Sequence, residues 1–360
     1  MGKEGATNMD VQDLLKLMVE KGASDLHIGV PNSPVLRIQG DLVCQSDLPV
    51  VTKEDVERML AAIASPEQLK IFNEEKELDF AYSVPKLARF RVNALRQRGT
   101  TSIAFRFVPF HIPTIDELEL PQVLKKLVLK PRGLILVTGH TGSGKSTTLA
   151  AMINHLNEND KRNIITIEEP VEFLYQNKKS IIYQREVGSD TQSFSKALMH
   201  ALRHDPDALV VGEMRDLATI ATAITAAETG HLVLGTLHTY SAPQSIDRII
   251  DIFPPDQQQQ IRFQLSQVIE AVLSQTLIHR IKGGRVAAFE ILISTQAVRN
   301  LIREEKIYQL PGIMSVGSRE GMQTLDQALA NLVKRRLVAK EEAMLRAADI
   351  ELFEKWLRSE

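Results

Sequence analysis

Apolar positions change period along this chain, and the change divides it. Val11, Leu14, Leu15 and Met18 recur at i, i+3, i+4 and i+7, which predicts a short amphipathic helix closed by Gly22. Residues 35–43 alternate around Gly40 and predict a hairpin. Thr52 and Asp55 have the spacing of a capping box, ahead of a helix whose core face is Val56, Met59, Leu60 and Ile63. Ser65-Pro66-Glu67-Gln68 starts another helix, with serine as cap and proline at the first helical position. Strands are expected over residues 79–84, 89–95 and 101–108. These elements make a small mixed α+β domain over residues 1–108, with a polar and disordered start over residues 1–8.

The pattern then breaks. Pro109, Pro113 and Pro121, interspersed with acids, mark residues 109–121 as an interdomain linker. Beyond it the period-2 alternation gives way to continuous β-branched and leucine-rich runs at 134–138, 164–167, 208–211 and 232–237, separated by helical stretches. Runs of that kind are strands buried on both faces, so residues 122–293 are expected to form an α/β domain with a mostly parallel sheet. After Ile293 the chain reads as helical and charged to its end, residues 294–360, as in Val333-Lys-Arg-Arg336. It has no internal repeat and no low-complexity block.

Composition narrows the classes. The 360 residues suit two domains, and 44% hydrophobic content supports a substantial core. A net charge of −2, from 43 basic and 45 acidic residues, argues against a dedicated nucleic-acid binder. The single cysteine, Cys44, excludes a disulfide framework and a multi-cysteine zinc site, and is expected as a small apolar filler in a strand. No apolar stretch approaches the ~20 residues that span a bilayer. The first 13 residues lack the apolar region of a signal peptide. The expectation is a soluble cytoplasmic protein.

The chemistry concentrates where the first buried run ends. The run 134–138 leads into Gly139-His-Thr141-Gly142-Ser143-Gly144-Lys145-Ser146-Thr147, and a helix follows. The G-x-x-x-x-G-K-S spacing between a strand and a helix is a phosphate loop. Glycines let the backbone turn tightly with several N–H groups facing inward, and the helix N-terminus adds partial positive charge. Lys145 reaches the β- and γ-phosphates, and the Ser146 hydroxyl is placed to bind Mg²⁺. The ligand is ATP or GTP.

Other candidates cluster at strand ends, where ligands of parallel sheets bind. Leu209-Val-Val-Gly-Glu213 ends in a carboxylate that is expected near Ser146, holding Mg²⁺ directly or through water. Glu168, Glu169 and Glu172 surround Pro170 after another run; one of them can orient and deprotonate an attacking water, though spacing does not single it out, and an acidic turn fits equally well. His231 and His238 bracket the run 232–237, about 23 Å apart along an extended strand, so both cannot meet one phosphate unless the ends bend inward. His238, at the carboxyl end, is the better candidate for sensing the γ-phosphate, and His231 reads more readily as structural. In the first domain, Arg91 and Arg106 fall on the polar face of their strands, and a hairpin centred on Arg98-Gly99 sets them opposite each other. Such a pair is either solvated or an anion site that the first domain brings to a phosphate bound on the second.

These motifs and others, among them Ala23-Ser-Asp-Leu-His27, Arg89-Phe-Arg-Val-Asn93, Thr166-Ile-Glu-Glu-Pro-Val-Glu172, Val211-Gly-Glu-Met-Arg-Asp216 and Ala297-Val-Arg-Asn-Leu-Ile-Arg-Glu304, resemble those of the type IV pilus retraction ATPases. That family belongs to the type II/IV secretion ATPase superfamily, and the resemblance covers nearly the whole chain. It implies a RecA-like P-loop ATPase domain preceded by a smaller α+β PAS-like domain and followed by C-terminal helices. It implies ATP and Mg²⁺ as the ligands, with Gly139 to Thr147 as the Walker A loop, Glu172 as catalytic glutamate and Glu213 as the Walker B acid. By the same resemblance His231 and His238 form a histidine box, and Arg91 and Arg106 point at nucleotide. The implied assembly is a homohexamer on the inner face of the cytoplasmic membrane, acting on an inner-membrane pilus platform protein, alone or with a second retraction ATPase. Assembly and secretion relatives carry a longer N-terminal region and usually a tetracysteine metal site, so one cysteine favours retraction. Three positions depart from the family pattern: Glu169 stands for Asp, His140 for Pro and Val298 for Ile. The 297–304 motif is expected to serve retraction outside the hydrolysis site, with Leu301 and Ile302 for apolar contact and Arg299 and Arg303 on one helical face toward a helical bundle or an acidic partner.

Overall fold

The computed structural model describes residues 9–38, 40–85, 87–108 and 112–359. The expected disorder of residues 1–8 lies outside them. The chain separates into two compact units that meet in sequence between His111 and Ile112.

The first unit opens with α1, Val11–Glu20, whose buried face is the four apolar residues of the i, i+3, i+4, i+7 set. It continues through β1 (Asp25–Gly29), β2 (Val35–Ile38), β3 (Asp41–Cys44), α2 (Lys53–Ile63), α3 (Pro66–Glu75), β4 (Glu77–Val84), β5 (Ala88–Gln97) and β6 (Thr100–Val108). The expected capping box of Thr52 with Asp55 forms, and Ser65, expected as a cap, makes a second box with Gln68. The strands make one antiparallel sheet in the order β3-β2-β1-β6-β5-β4. Its core face carries Leu26, Phe80, Phe90, Val92 and Phe105, closed over by α1 and α2. Cys44 is exposed at the end of the edge strand β3, so it fills no core.

The second unit contains α4 (Val123–Val128), β7 (Gly133–Thr138), α5 (Lys145–Asn159), β8 (Asn163–Glu168), β9 (Ile181–Glu186), α6 (Phe194–Ala201), β10 (Ala208–Val211), α7 (Leu217–Glu228), β11 (Leu232–Leu237), α8 (Ala242–Asp251), α9 (Pro255–Val268), β12 (Ile269–His279) and β13 (Arg285–Ile293). Helices α10 (Gln296–Arg303), α11 (Leu310–Val316), α12 (Leu325–Lys334), α13 (Lys340–Met344) and α14 (Ile350–Arg358) complete it. The sheet order is β13-β12-β7-β11-β10-β8-β9, parallel except for the β12–β13 pair. Strands β7, β10 and β11 are buried at every position, which is why they read as unbroken apolar runs. Their side chains alternate between two cores. Leu134 and Leu136 face the side of α7–α9, whereas Ile135 and Val137 face α4 and α5.

One expectation is revised here, and for another the structure takes one of the two alternatives. Of the linker 109–121, residues 109–111 lie outside the described residues, while the remainder belongs to the second unit. Ile115 and Leu120 are buried in its core, and Glu119 accepts hydrogen bonds from Arg280 and Arg335 at 2.7 Å each. The motif 297–304 is equally tied down. Ile302 is fully buried, and Arg299 donates to the Ser266 carbonyl at the end of α9 and pairs with Glu270 of β12. Its guanidinium thus answers the carbonyl end of α9, a preceding helix, which is the first of the two expected alternatives. Replacing Ile302 by alanine would open a core cavity, typically costing about 2–5 kcal/mol, so that change cannot report on partner binding alone.

Candidate functional site

Four adjacent parallel strands deliver their carboxyl ends to one cleft of about 430 Å³. β7 leads into the phosphate loop, whose Thr141, Gly142, Gly144, Lys145, Ser146 and Thr147 line the cleft. Gly139 and Ser143 shape it from behind. A Cβ on Gly139, at φ +143°, would fall 2.3 Å from the Gln275 carbonyl oxygen, so only glycine lets β12 approach this closely. Gly142 and Gly144 also have positive φ, +80° and +90°. The ammonium of Lys145 donates to the carbonyls of Gly139 (2.8 Å) and His140 (3.1 Å). Burial lowers its pKa, and the nearby charges of Glu213 and Glu172 oppose that shift. A half-buried cation beside backbone N–H groups and a helix N-terminus is a fitting receptor for a polyphosphate.

Glu213 follows β10 and accepts from His238 Nε2 at 2.8 Å, with Arg215 as a second partner. His238 follows β11, and its Nδ1 lies 3.5 Å from the Thr141 hydroxyl, so this ring links the phosphate loop to the acid. It lines the cleft. His231 stands before β11, at the strand's other end, with Nδ1 against the Ala226 carbonyl at 2.9 Å and the Thr229 hydroxyl at 3.2 Å. Within one chain it closes the C-terminus of α7 and takes no part in the cleft. The strand length keeps it away.

The acidic turn after β8 enters the cleft through Glu168, Glu169 and Glu172. The three differ in environment. Glu169 and Glu172 are exposed, whereas Glu168 is half-buried and accepts from the Thr166 hydroxyl (2.7 Å) and the Gln184 amide (3.2 Å). Burial raises the Glu168 carboxyl above the usual glutamate range, although both hydrogen bonds pull the other way. The Glu172 N–H donates to Glu168 at 3.4 Å, closing the turn around the cis peptide bond before Pro170.

The raised carboxyl has a stability consequence. Its contribution is complete below the ordinary glutamate range and is lost as pH rises through the folded-state value. Glu168→Gln keeps an oxygen for Thr166 and Gln184 and has no proton to lose. It is expected to melt above the wild type near pH ~7.5, with the difference shrinking toward pH ~4. A difference that stayed constant across that range would show that ionisation is not its source.

Arg91 and Arg106 belong to the other unit. They are direct partners across the β5–β6 hairpin, whose turn residues Arg98 and Gly99 both have positive φ. Both side chains are exposed. Part of their mutual repulsion is answered inside the chain, because Asp25 of β1 accepts from Arg106 Nε at 2.8 Å. Burial raises the Asp25 carboxyl, but hydrogen bonds from Arg106 and Ser24 outweigh it and hold that carboxyl below the usual range.

Several lining residues escaped the motif reading. Phe173, Tyr175 and Phe194 supply apolar surface, and Leu277 and Arg285 arrive from β12 and β13. Burial, together with the charges of Glu168 and Glu172, pushes the Tyr175 phenol well above its usual value, so it stays protonated. None of these sits in a recognisable motif. Among the described residues no cluster of three His, Cys, Asp or Glu could hold a metal by itself, and no helix is long and apolar enough to cross a membrane. Ser146 and Glu213 in one cleft suit a Mg²⁺ whose remaining ligands come from phosphate oxygens and water.

Comparison with known proteins gives concordant results. The sequence profile of the family described as "Type II/IV secretion system protein" matches residues 3–283. The type IV pilus retraction ATPase PilT of Pseudomonas aeruginosa is 49% identical over 339 residues, covering 94% of this chain and 98% of that protein. A twitching motility protein of Neisseria gonorrhoeae is 48% identical, over 89% of this chain and 85% of its own length. A crystal structure of the pilus retraction motor PilT with bound ADP superposes with a TM-score of 0.90 at 45% identity, covering 96% of this chain and 99% of that one.

Proposed function

The chain belongs to the type II/IV secretion system protein family, and from that premise we propose that it is an ATPase motor driving type IV pilus retraction and, with it, twitching motility. The carrying observation is the cleft, where the phosphate loop, Glu213, His238 and the acidic turn meet at the carboxyl ends of adjacent parallel strands. The parallel-sheet unit is its RecA-like ATPase core, and the antiparallel unit is its PAS-like domain.

In this reading the loop N–H groups and Lys145 hold the phosphates of ATP. Ser146 and Glu213 would hold Mg²⁺, directly or through water, and the ion would neutralise charge on the phosphate oxygens. Glu172 orients the attacking water and takes its proton. His238, bonded to both Glu213 and the loop, registers the γ-phosphate. Arg91 and Arg106 supply positive charge to the transferring group from the PAS-like domain. The active assembly is a homohexamer at the cytoplasmic side of the inner membrane, turning against a pilus platform protein, with or without a second retraction ATPase. His231 could influence hydrolysis only across a subunit boundary.

Lys145→Ala is the direct test. The variant is expected to lose ATP hydrolysis, because the β/γ-phosphates lose their counter-charge, and to fail to restore twitching in cells lacking the wild-type protein. ATPase activity that survived the change would remove the phosphate loop from the reaction. Normal hydrolysis by the wild type without restored motility would separate the enzyme from the pilus.

A further inference from the structure

Strand β12 carries one polar side chain that reaches the phosphate loop from behind. Gln275 is almost fully buried, 4% exposed, one residue beyond the point where Ser274 pairs with Thr138 at the end of β7. Its amide Nε2 donates to the Ser143 carbonyl at 2.6 Å, a buried bond between residues 132 apart in sequence. The contact leaves no slack. A Cβ on Gly144 would meet the same Nε2 at 3.1 Å, and one on Gly139 would meet the Gln275 carbonyl.

A peptide group is planar and trans, so its carbonyl and the following N–H point in opposite directions. Holding the Ser143 carbonyl toward β12 therefore turns the Gly144 N–H away from β12, to the side on which Gly144 and Lys145 line the cleft. Glycine at 144, with φ +90°, has no backbone preference of its own that would fix this orientation. The Ser143 side chain does not fix it either. Its hydroxyl is buried without a hydrogen-bond partner.

We propose that Gln275 is a positioning residue for nucleotide binding: its amide sets the Ser143–Gly144 peptide so that the Gly144 N–H meets the β-phosphate. The assignment rests on the nucleotide reading of the cleft. Gln275 is not among the residues that line the cleft. It spares the loop the cost of ordering this peptide at the moment of binding, and so acts on affinity for molecules that possess a β-phosphate.

The test compares ADP with AMP in full-length protein. Gln275→Met keeps the length and the packing but cannot donate. Losing one buried hydrogen bond is expected to raise the Kd for ADP about tenfold, which corresponds to about 1.4 kcal/mol, and to move the Kd for AMP less than about twofold. The KM for ATP should rise by a larger factor than kcat falls. Gln275→Glu provides the same measurement in a polar side chain of equal length, where a carboxylate oxygen would face the Ser143 carbonyl and turn the peptide away. ADP affinity unchanged in both variants would overturn the proposal. Equal weakening of ADP and AMP would overturn it as well, because that is the signature of a packing defect. A wild type that failed to bind ADP at all would refute the nucleotide reading instead.

Discussion

Replacing Glu172 with glutamine is expected to give a protein that binds ATP as the wild type does but turns it over about 10²–10⁴-fold more slowly. The amide fills the same space and can still hydrogen-bond to a water, yet it cannot accept that water's proton. Equilibrium binding of ATP and single-turnover hydrolysis separate the two effects. The surroundings make this a choice between neighbours. Glu172 is exposed in the turn, while Glu168 is half-buried, and burial brings its carboxyl closer to working pH. A base is most effective when its pKa lies near the pH at which it works. Near-normal turnover by Glu172→Gln would therefore pass the role to Glu168, and the Glu168→Gln variant made for melting would then show the loss.

Removing the guanidinium of Arg106 is expected to lower turnover by about 10³-fold or more while ATP still binds through the phosphate loop. In the first unit this arginine is already paired with Asp25. Truncation to alanine also leaves Asp25 with fewer partners, and its carboxyl should then titrate closer to the usual range. Since Asp25 is held low in the folded protein, its contribution to stability is present above the ordinary aspartate range and is lost as pH falls through the folded-state value. Arg106→Ala should accordingly forfeit some stability at neutral pH and differ less from the wild type in acid. This gives a structural readout independent of catalysis.

Mixing Arg106→Ala with Lys145→Ala subunits asks where the arginine acts. If a site takes its phosphate loop from one subunit and Arg106 from the next, mixed rings contain sites with both groups intact, and activity returns in part. If each chain completes its own site, no mixture recovers activity. Exchange of labelled subunits must be demonstrated first. Unaltered turnover by Arg106→Ala alone would remove the arginine from the reaction.

What the sequence determines by itself is everything carried by local spacing. The helix of Val11, Leu14, Leu15 and Met18, both capping boxes and the hairpin that opposes Arg91 to Arg106 are all fixed by neighbours a few residues apart. The phosphate loop belongs with them, because its glycines, lysine and serine act within one turn of backbone. So does the run of buried parallel strands, whose unbroken apolar composition reports burial on both faces. Strands β9, β12 and β13 were not legible in this way. Their sequences, such as Ile269 to His279, mix buried and polar positions, and only pairing with partners distant in the chain defines them. Everything those strands bring was hidden with them, including Leu277, Arg285 and Gln275 at the phosphate loop.

The tertiary structure alone supplied the partners that distinguish residues whose local sequences look alike. His238 is preferred to His231 from its place at the carboxyl end of the strand, but only the assembled sheet brings Glu213 to the first and the end of α7 to the second. Glu168 and Glu172 share one short turn, and only burial in the folded chain raises the first carboxyl, against the hydrogen bonds from Thr166 and Gln184. Arg299 suits a helical bundle or an acidic partner alike until the end of α9 and Glu270 are brought beside it. The physical reason is common to all three. Backbone conformation follows from a few adjacent side chains, whereas burial, charge pairing and the partners at a strand end depend on separate elements that become neighbours only when the sheet and its helices are assembled.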